Sequence, residues 1–473
     1  MNRLRVLSIV ATTGLSTFLI ALDNSVVYVA LPRIGRELAL SDAGLKWAAA
    51  AYPLALASFL LVAGQFTDTV GRRRALLTGV ATFTVASVLC AVSTTGAALL
   101  GARALQGVGA AFVLPASLAI TSHDLPHRMR TAAFGALTAS MASALAFGPV
   151  VSGVVTQGLG WQWLFALNLP LGLVVCALCA LVLPRASRCT EGAGRKAPSA
   201  VPLPVNALAC VSVAAFAYVL IQGPSHGFTE PSVLLCAVTA GGGLLALYCS
   251  RRQGRSPALT LLLRRRAFTG GLLTQLLWGL GVTGVYFYTS QFLQNGLRLS
   301  PTEAGLAFTP VVCALFATVP FVTALTRRFG DSRVAASGLF FVALGLLLVA
   351  LGSRSGRLAG LLPGLVSVGA GSALALPLTT RAMRASPEHL SGFAAGLFSA
   401  TREVSGVFGV VVVGAVVTFV QDARLADGAP AGQSLSAGYQ AGLYLAAVLV
   451  GAGVPVARWS LRGPATARTP PGP

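Results

Sequence analysis

The sequence predicts an all-α membrane protein with 14 membrane-spanning helices, arranged as two six-helix bundles and an inserted helix pair. Three observations support this prediction. The 473 residues are 55% hydrophobic and only 10% charged, with a mean hydropathy of +0.78, whereas a soluble protein carries about 25% charged residues. Long apolar runs recur along the whole chain, and two pairs of segments repeat at nearly equal spacing.

The apolar runs define the predicted helices. A spanning helix needs about 20 mostly apolar residues. The first run is longer than a signal peptide's apolar region and leads into further runs, so we interpret it as the first spanning helix. The predicted helices cover residues 6–30, 43–64, 75–95, 97–120, 131–156, 161–183, 204–222, 231–250, 268–292, 303–325, 334–352, 358–380, 391–420 and 437–457.

Two halves of the chain resemble each other. The segment "GQFTDTVGRRR" follows the second predicted helix and "ALTRRFGDSR" follows the tenth, which places Gly71 and Gly330 259 positions apart. The fifth and thirteenth helices align at an offset of 261. Parallel six-helix repeats are a transporter architecture. We therefore predict an N-terminal bundle over 1–183, an inserted pair with flanking loops over 184–266, a C-terminal bundle over 267–457 and a tail over 458–473.

The positive charges indicate topology. Most of the 34 Lys and Arg residues lie in the inter-helix segments on the side of the N-terminus, and the positive-inside rule makes this side cytoplasmic. Both termini are then cytoplasmic, and the protein is multi-pass in the cell membrane. No basic domain of soluble size could bind nucleic acid, despite the net charge of +21. No segment could host a soluble enzymatic domain, and we predict neither a metal site nor a cofactor.

Four charged residues lie clearly inside the predicted helices, away from their ends: Asp23, Arg103, Arg402 and Glu403. Such residues are rare in membranes and usually functional. At 1.5 Å per residue, Asp23 and Arg103 fall at a similar depth and could pair. Neighbouring helix residues point about 100° apart, so Arg402 and Glu403 need not pair with each other.

The role of the carboxylates stays open between alternatives. A buried carboxylate without a fixed partner favours its protonated form and can load and release protons. Asp23 could therefore couple protons or bind substrate, form a permanent ion pair that locks two helices, or reach the lipid edge. Glu403 offers a second proton or cation site. Arg103 is expected to modulate a carboxylate, because arginine stays charged.

Several motifs resemble those of one family. These are "LDNSVVYVALP" in helix 1, "GQFTDTVGRRRAL" after helix 2, "LLGARALQGVGAA" in helix 4, "ASALAFGPVVSG" in helix 5 and "ATREVSGVFG" in helix 13. The chain resembles the major facilitator superfamily, and within it the fourteen-helix drug:proton antiporters. Tyr28 stands where that group usually has Asn, and Glu403 where it usually has Gln.

The resemblance implies roles for these motifs. The segment after helix 2 matches the family at Gly64, Asp68, Gly71, Arg72 and Arg73. Asp68 and the arginines would hold the two halves together in a cytoplasmic gate. The alternative is that the arginines only determine the topology. The position of Arg103 is assigned to proton coupling. The helix 5 signature, matched at Gly148, Pro149 and Gly153, is associated with export, and Pro149 would let the helix bend.

The resulting expectation is proton-coupled efflux of drugs or antibiotics by alternating access. The alternative is a proton-coupled importer of a small metabolite on the same fold. A sensor or a membrane enzyme would need a domain or a catalytic constellation that the sequence does not offer. The expected partners are protons, the lipid bilayer and a lipophilic or amphipathic small molecule, and we expect a monomer. Aromatic candidates for the cavity lining are Phe18, Tyr28, Trp278, Tyr286 and Tyr288.

Overall fold

The computed structural model describes residues 3–183, 203–227, 229–252, 257–387 and 390–460, whose regular secondary structure is helical. The first nine helices are α1 (Arg3–Glu37), α2 (Asp42–Val70), α3 (Arg72–Ala91), α4 (Gly96–His123), α5 (His127–Gly158), α6 (Gln162–Ala166), α7 (Asn168–Val182), α8 (Leu203–His226) and α9 (Pro231–Arg252). The remaining helices are α10 (Pro257–Arg264), α11 (Arg266–Gln291), α12 (Pro301–Leu306), α13 (Thr309–Phe329), α14 (Asp331–Gly352), α15 (Leu358–Leu374), α16 (Pro377–Arg384), α17 (Ser391–Ala426) and α18 (Ala431–Ser460).

Twelve helical segments within the described ranges are long and apolar enough to cross a membrane. The predicted inserted pair corresponds to α8 and α9, whose apolar stretches Ala207–Gly223 and Pro231–Ala246 are shorter. The all-α membrane fold is thus confirmed, and the count of fourteen spans stays a prediction. Three predicted helices each consist of two consecutive helices, namely α6 with α7, α12 with α13, and α15 with α16.

The same glycine turn occurs once in each half of the chain. Gly71 joins α2 to α3 with φ = 99°, and Gly330 joins α13 to α14 with φ = 83°. Glycine adopts positive φ without the steric penalty of a Cβ atom. The two sequence segments that aligned around these glycines therefore share a backbone conformation.

Close helix pairs also repeat between the halves. In the first half (residues 3–183), α3 and α4 approach at Gly79 and Gly109, where an added Cβ would meet the partner's backbone at 2.9 Å or less. In the second half (residues 266–460), α14 and α15 meet in the same way at Gly338 and Gly371. Small residues let membrane helices approach closely. Both halves therefore pair their third and fourth helices through glycine.

The halves meet at the end of the bundle away from the termini, which we call the distal end. Gln294 Nε2 donates to the Val29 carbonyl at 2.8 Å, and the Thr302 N–H donates to Gln157 Oε1 at 3.2 Å. Gly153 of α5 lies directly against the backbone of Pro301. This conformation is closed at its distal end.

Helix α8 lies along the seam between α2 and α17. The Cys210 thiol donates to the Ser58 carbonyl of α2 at 2.9 Å. On the other side, the rings of Phe216 and Phe408 of α17 are 5.1 Å apart with edge-to-face geometry. The first helix of the predicted inserted pair thus contacts both halves.

We predict that Gly153→Leu opens the distal end, because a side chain at this position has no room beside Pro301. The measurement is maleimide labelling of a cysteine introduced at Ser290, which is fully buried at the distal end of α11, in a background without native cysteines. Labelling should become faster. Gly158→Leu is the matched control, since Gly158 has open space around it; equal labelling rates for the two variants would contradict the prediction.

Candidate functional site

Asp23 is completely buried and accepts hydrogen bonds on both carboxylate oxygens. Arg103 Nη1 donates to Oδ2 in a salt bridge. Gln106 Nε2 and Asn168 Nδ2 donate to Oδ1 at 3.1 and 2.7 Å. Three donors thus satisfy the hydrogen-bonding capacity of this buried carboxylate. The structure therefore brings Asp23 and Arg103 together, as their predicted depths suggested.

The guanidinium of Arg103 is enclosed as tightly as the carboxylate. The Arg103 side chain is 2% exposed. Its guanidinium carbon lies 4.6 Å from the ring centroid of Tyr52 and 5.6 Å from that of Phe165, a cation–π geometry. The Nε atom is buried without a hydrogen-bond partner. The cation thus depends on Asp23 for its charge compensation.

A second layer of polar side chains holds Gln106. Its Nε2 also donates to Ser87 Oγ at 2.7 Å, and its Oε1 accepts from Arg103 Nη1 at 2.8 Å and from the Cys90 thiol at 3.3 Å. Ser87 Oγ also accepts from Asn168 Nδ2 at 3.3 Å. Four helices, α1, α3, α4 and α7, therefore contribute to one polar network. We call it the Asp23 network; its members are Asp23, Ser87, Cys90, Arg103, Gln106 and Asn168.

Sequence reasoning identified two members of this network as site residues, Asp23 and Arg103. Gln106 lay inside a quoted family motif without an assigned role, and Ser87, Cys90 and Asn168 were missed. Serine, cysteine and amide side chains inside apolar helices carry no signal of their own, because their partners come from other helices. The available hint was that Asn168 interrupts an apolar run at the first residue of α7.

The second half has apolar residues at the corresponding positions. The 259-residue offset that aligns Gly71 with Gly330 maps α1 onto α11 and α3 onto α14. The Gly109–Gly371 match maps α4 onto α15 at an offset of 262. The members Asp23, Ser87, Cys90, Arg103 and Gln106 then correspond to Val282, Leu346, Val349, Leu365 and Val368, all of which line one small apolar cavity.

The sixth member also has an apolar counterpart. Gly172 of α7 lies against Thr84, and Gly451 of α18 faces Ala343, which corresponds to Thr84 at the 259-residue offset. This match maps Asn168 onto Ala447, which is buried in the second-half core. The charged network therefore occupies one half of the repeat only.

Arg402 and Glu403 of α17 form a second ion pair. Nε and Nη2 of Arg402 donate to Glu403 Oε1 at 3.1 and 2.9 Å. The sequence interpretation did not require these neighbours to pair, but the long arginine side chain folds back to reach the carboxylate. The Arg402 side chain is 40% exposed and that of Glu403 8%. The Arg402 side of this pair is thus accessible while Glu403 is buried, whereas both members of the Asp23–Arg103 pair are buried.

The two ion pairs act on the same region between the halves. The hydroxyl of Tyr28 in α1 lies within the electrostatic reach of both Glu403 and Arg103. The hydroxyl of Tyr52 donates to the Ile20 carbonyl at 3.1 Å. It interacts electrostatically with the four charged residues of the two ion pairs. Both tyrosines therefore interact with charged groups of the two halves.

The predicted gate residues bind within their own half in this conformation. Arg72 Nη1 pairs with Asp124 Oδ1 at 2.5 Å, and Arg73 Nη2 donates to the Ala180 carbonyl at 2.8 Å. At the position corresponding to Arg72, the second half has Asp331, which pairs with Arg381 at 3.3 Å. The aligned position therefore carries the cation of the pair in the first half and the anion of the pair in the second half. The side chain of Asp68 lies outside the described residues, and a Cβ on Gly64 would have open space.

The helix 5 motif packs at two interfaces. Gly148 lies against the side chain of Ser25 in α1, while Pro149 and Gly153 lie against α12 through Gly305 and Pro301. Helix α5 continues through Pro149 from His127 to Gly158. The motif therefore joins α1 to the second half at the distal end.

The predicted lining aromatics divide into two groups. Phe18 and Tyr28 are half-buried in α1. Tyr286 stacks on Phe308 at 5.2 Å and lines the apolar cavity of the second half, and Tyr288 donates to the Val410 carbonyl at 3.2 Å. Trp278 packs against the second-half core. Three of the five thus belong to second-half packing.

Comparison with known proteins identifies the family. A sequence model of the Major Facilitator Superfamily matches residues 13–410. The chain belongs to the major facilitator superfamily. It is therefore a membrane transporter and not an enzyme.

Similar proteins include the cephamycin export protein CmcT of Amycolatopsis lactamdurans, which is 33% identical and covers 85% of this chain and 84% of CmcT. Multidrug resistance protein Stp of Mycobacterium tuberculosis is 35% identical over 421 residues, covering 88% of this chain and 76% of Stp. A probable actinorhodin transporter of Streptomyces coelicolor is 32% identical, covering 83% of this chain and 69% of that protein. Among solved structures, the peptide transporter PepTSo aligns over 97% of this chain and 99% of its own, with a TM-score of 0.67 and 15% identity; this likeness concerns the fold.

We predict that Arg103→Ala strongly destabilises the protein, because it leaves the Asp23 carboxylate buried without its cation. Breaking a buried pair in this way costs about 3–5 kcal/mol. The measurement is the thermal unfolding midpoint of the purified protein in detergent. Arg74→Ala, at an exposed position of α3, is the control, and an equally small effect of both substitutions would refute the structural importance of the pair.

Proposed function

We propose that this transporter exports lipophilic or amphipathic drugs or antibiotics in exchange for protons by alternating access, in the cytoplasmic membrane with both termini in the cytoplasm. The central support is the Asp23 network. The second half packs the same positions with apolar residues, so the fold does not require charges there. Buried ion pairs are often replaceable by well-packed apolar residues without loss of stability, which favours a functional reason for the pair.

In the proposed exchange cycle, substrate and protons bind and leave in different conformations. The distal end is the outer end under the positive-inside rule, so the closed distal end corresponds to an inward-facing state. Substrate would enter this state from the cytoplasm while the carboxylates are charged. In the outward-facing state, Asp23 or Glu403 would take up a proton and substrate would leave. The proton would be released to the cytoplasm after the return step.

The names of similar proteins support export. Relatives are named a cephamycin export protein and a multidrug resistance protein, and we propose the direction stated in the first name for the present chain. The fold likeness to a peptide transporter keeps the importer as the second candidate. The gate role of Gly64, Asp68, Gly71, Arg72 and Arg73, and the export role of the helix 5 motif, remain parts of this proposal.

A vesicle experiment separates export from import. In everted vesicles energised to be acid inside, an added substrate of an exchanger enters as protons leave, and the gradient falls. A symporter importer gives no such response to external substrate. Substrates would first be found with a panel of antibiotics and lipophilic dyes in a host without its own exporters. Protection of cells without any substrate-dependent proton release from the vesicles would rule out proton exchange.

We predict that Asp23→Asn abolishes substrate-dependent proton release, because the neutral amide of asparagine cannot take up and release a proton. The double substitution Asp23→Val/Arg103→Leu, which copies Val282 and Leu365, should abolish it as well while remaining folded, since no charge is left unpaired. Proton release and thermal unfolding are measured for both. Asp427→Asn, an exposed position, is the control. Full proton release in the double variant would assign the pair a purely structural role.

We predict that Glu403→Gln lowers proton release without destabilising the protein. Its carboxylate borders the accessible Arg402 and has one described hydrogen-bonding partner, so its removal leaves only a partly exposed cation. Glutamine also has the size of the buried Glu403 side chain, and the exposed side of Arg402 stays hydrated. The readouts are the same as for Asp23→Asn. If Glu403→Gln releases protons like the wild type, the acid in α17 takes no part in coupling.

A further inference from the structure

We propose that Asn168 is a positioning residue that sets the pH at which Asp23 takes up a proton and that transmits this event to α7. The proposal deepens the proposed function, because it concerns the same carboxylate. Asn168 is 2% exposed. Its Nδ2 lies 2.7 Å from Asp23 Oδ1, compared with 3.1 Å for the Gln106 donor on the same oxygen.

The two amide donors on Asp23 differ in what else holds them. Gln106 is held by Ser87, Cys90 and Arg103 as well as by Asp23. Asn168 has one other described acceptor, Ser87 Oγ, at the longer distance of 3.3 Å. When Asp23 becomes neutral, its oxygens accept hydrogen bonds more weakly. Gln106 keeps its bonds to Ser87, Cys90 and Arg103, whereas the shortest hydrogen bond of Asn168 is weakened. Of the two amides, that of Asn168 is therefore the more affected by protonation.

The position of Asn168 in the chain links the protonation of Asp23 to helix α7. Asn168 is the first residue of α7, directly after the break that separates α6 from α7. One turn later, Gly172 lies against Thr84 of α3 without room for a side chain. The start of α7 is thus attached to α3 by packing and to α1 by the bond to Asp23. Weakening of that bond loosens the attachment of the start of α7 to α1, while its packing on α3 remains.

Asp23 is surrounded by titratable and polar groups from several helices, all of which bear on its protonation. Arg103 stabilises the charged form, and the amides of Gln106 and Asn168 add to this effect by donating hydrogen bonds. Glu403 and Arg402 in α17 interact electrostatically with Tyr52, as Asp23 and Arg103 do. The remaining groups near the network are the hydroxyls of Tyr28 in α1, Tyr52 in α2 and Ser87 in α3 and the thiol of Cys90 in α3.

The second half offers a template for removing Asn168. Its counterpart Ala447 is a small apolar residue in an equally buried position. Asn168→Ala therefore copies a side chain that the fold accepts at this place. Removal of the amide takes away one donor from the charged carboxylate and leaves its ion pair with Arg103 in place.

The test is infrared spectroscopy of the purified full-length protein as a function of pH, without substrate. The band of the protonated Asp23 carboxyl is identified by its loss in Asp23→Asn. In Asn168→Ala, its midpoint should move to higher pH by about one unit, because a hydrogen bond that favours the charged form is lost. Asn295→Ala is the matched control, since it removes an exposed amide donor bonded to Gln291 at 2.9 Å.

The outcomes separate three cases. An unchanged midpoint in Asn168→Ala, together with a lower thermal unfolding temperature, would overturn the positioning role and leave a structural one. If Asn168→Ala is not recovered folded, Asn168→Ser is titrated instead, and an unchanged midpoint there decides against the proposal in the same way. A shifted midpoint in a protein that shows no substrate-dependent proton release would support the positioning role and reject the proposed function.

Discussion

The structure of the first half depends on one buried interaction, the ion pair between Asp23 and Arg103. Two charges in a nearly water-free position require full hydrogen bonding, because each unpaired charge there is costly. The surrounding amides and the serine supply these bonds from α3, α4 and α7. Four helices are thus held at one depth by electrostatics in addition to small-residue packing.

The internal repeat shows what this interaction adds. Both halves pair their third and fourth helices through glycines and use the same glycine turn after the second helix. The first half holds the Asp23 network, while the second half fills the corresponding positions with valine, leucine and alanine. Neutralising Asp23 would therefore loosen contacts within the first half. The two candidate carboxylates thus lie in different surroundings, since Asp23 pairs with a buried arginine and Glu403 with a partly exposed one.

The second ion pair and the distal contacts connect the first half, which holds the Asp23 network, to the second half. Arg402 and Glu403 belong to the second half but act on Tyr28 and Tyr52 of the first. The halves contact each other at the distal end through α5 and α12, and α8 joins α2 to α17. The charged groups thus lie deeper in the bundle than the distal contacts that alternating access has to open.

The sequence by itself determined the helices, the repeat and the shared depth of Asp23 and Arg103. Apolar runs and charge asymmetry are local properties, and depth follows from the constant rise of a helix. Tertiary structure alone decided that Asn168 and Ser87 complete the network, that Arg402 folds back onto Glu403, and that Arg72 binds Asp124 within its own half. These outcomes depend on how helices distant in sequence rotate and pack, and on which rotamer a long side chain adopts, which no periodicity along the chain records.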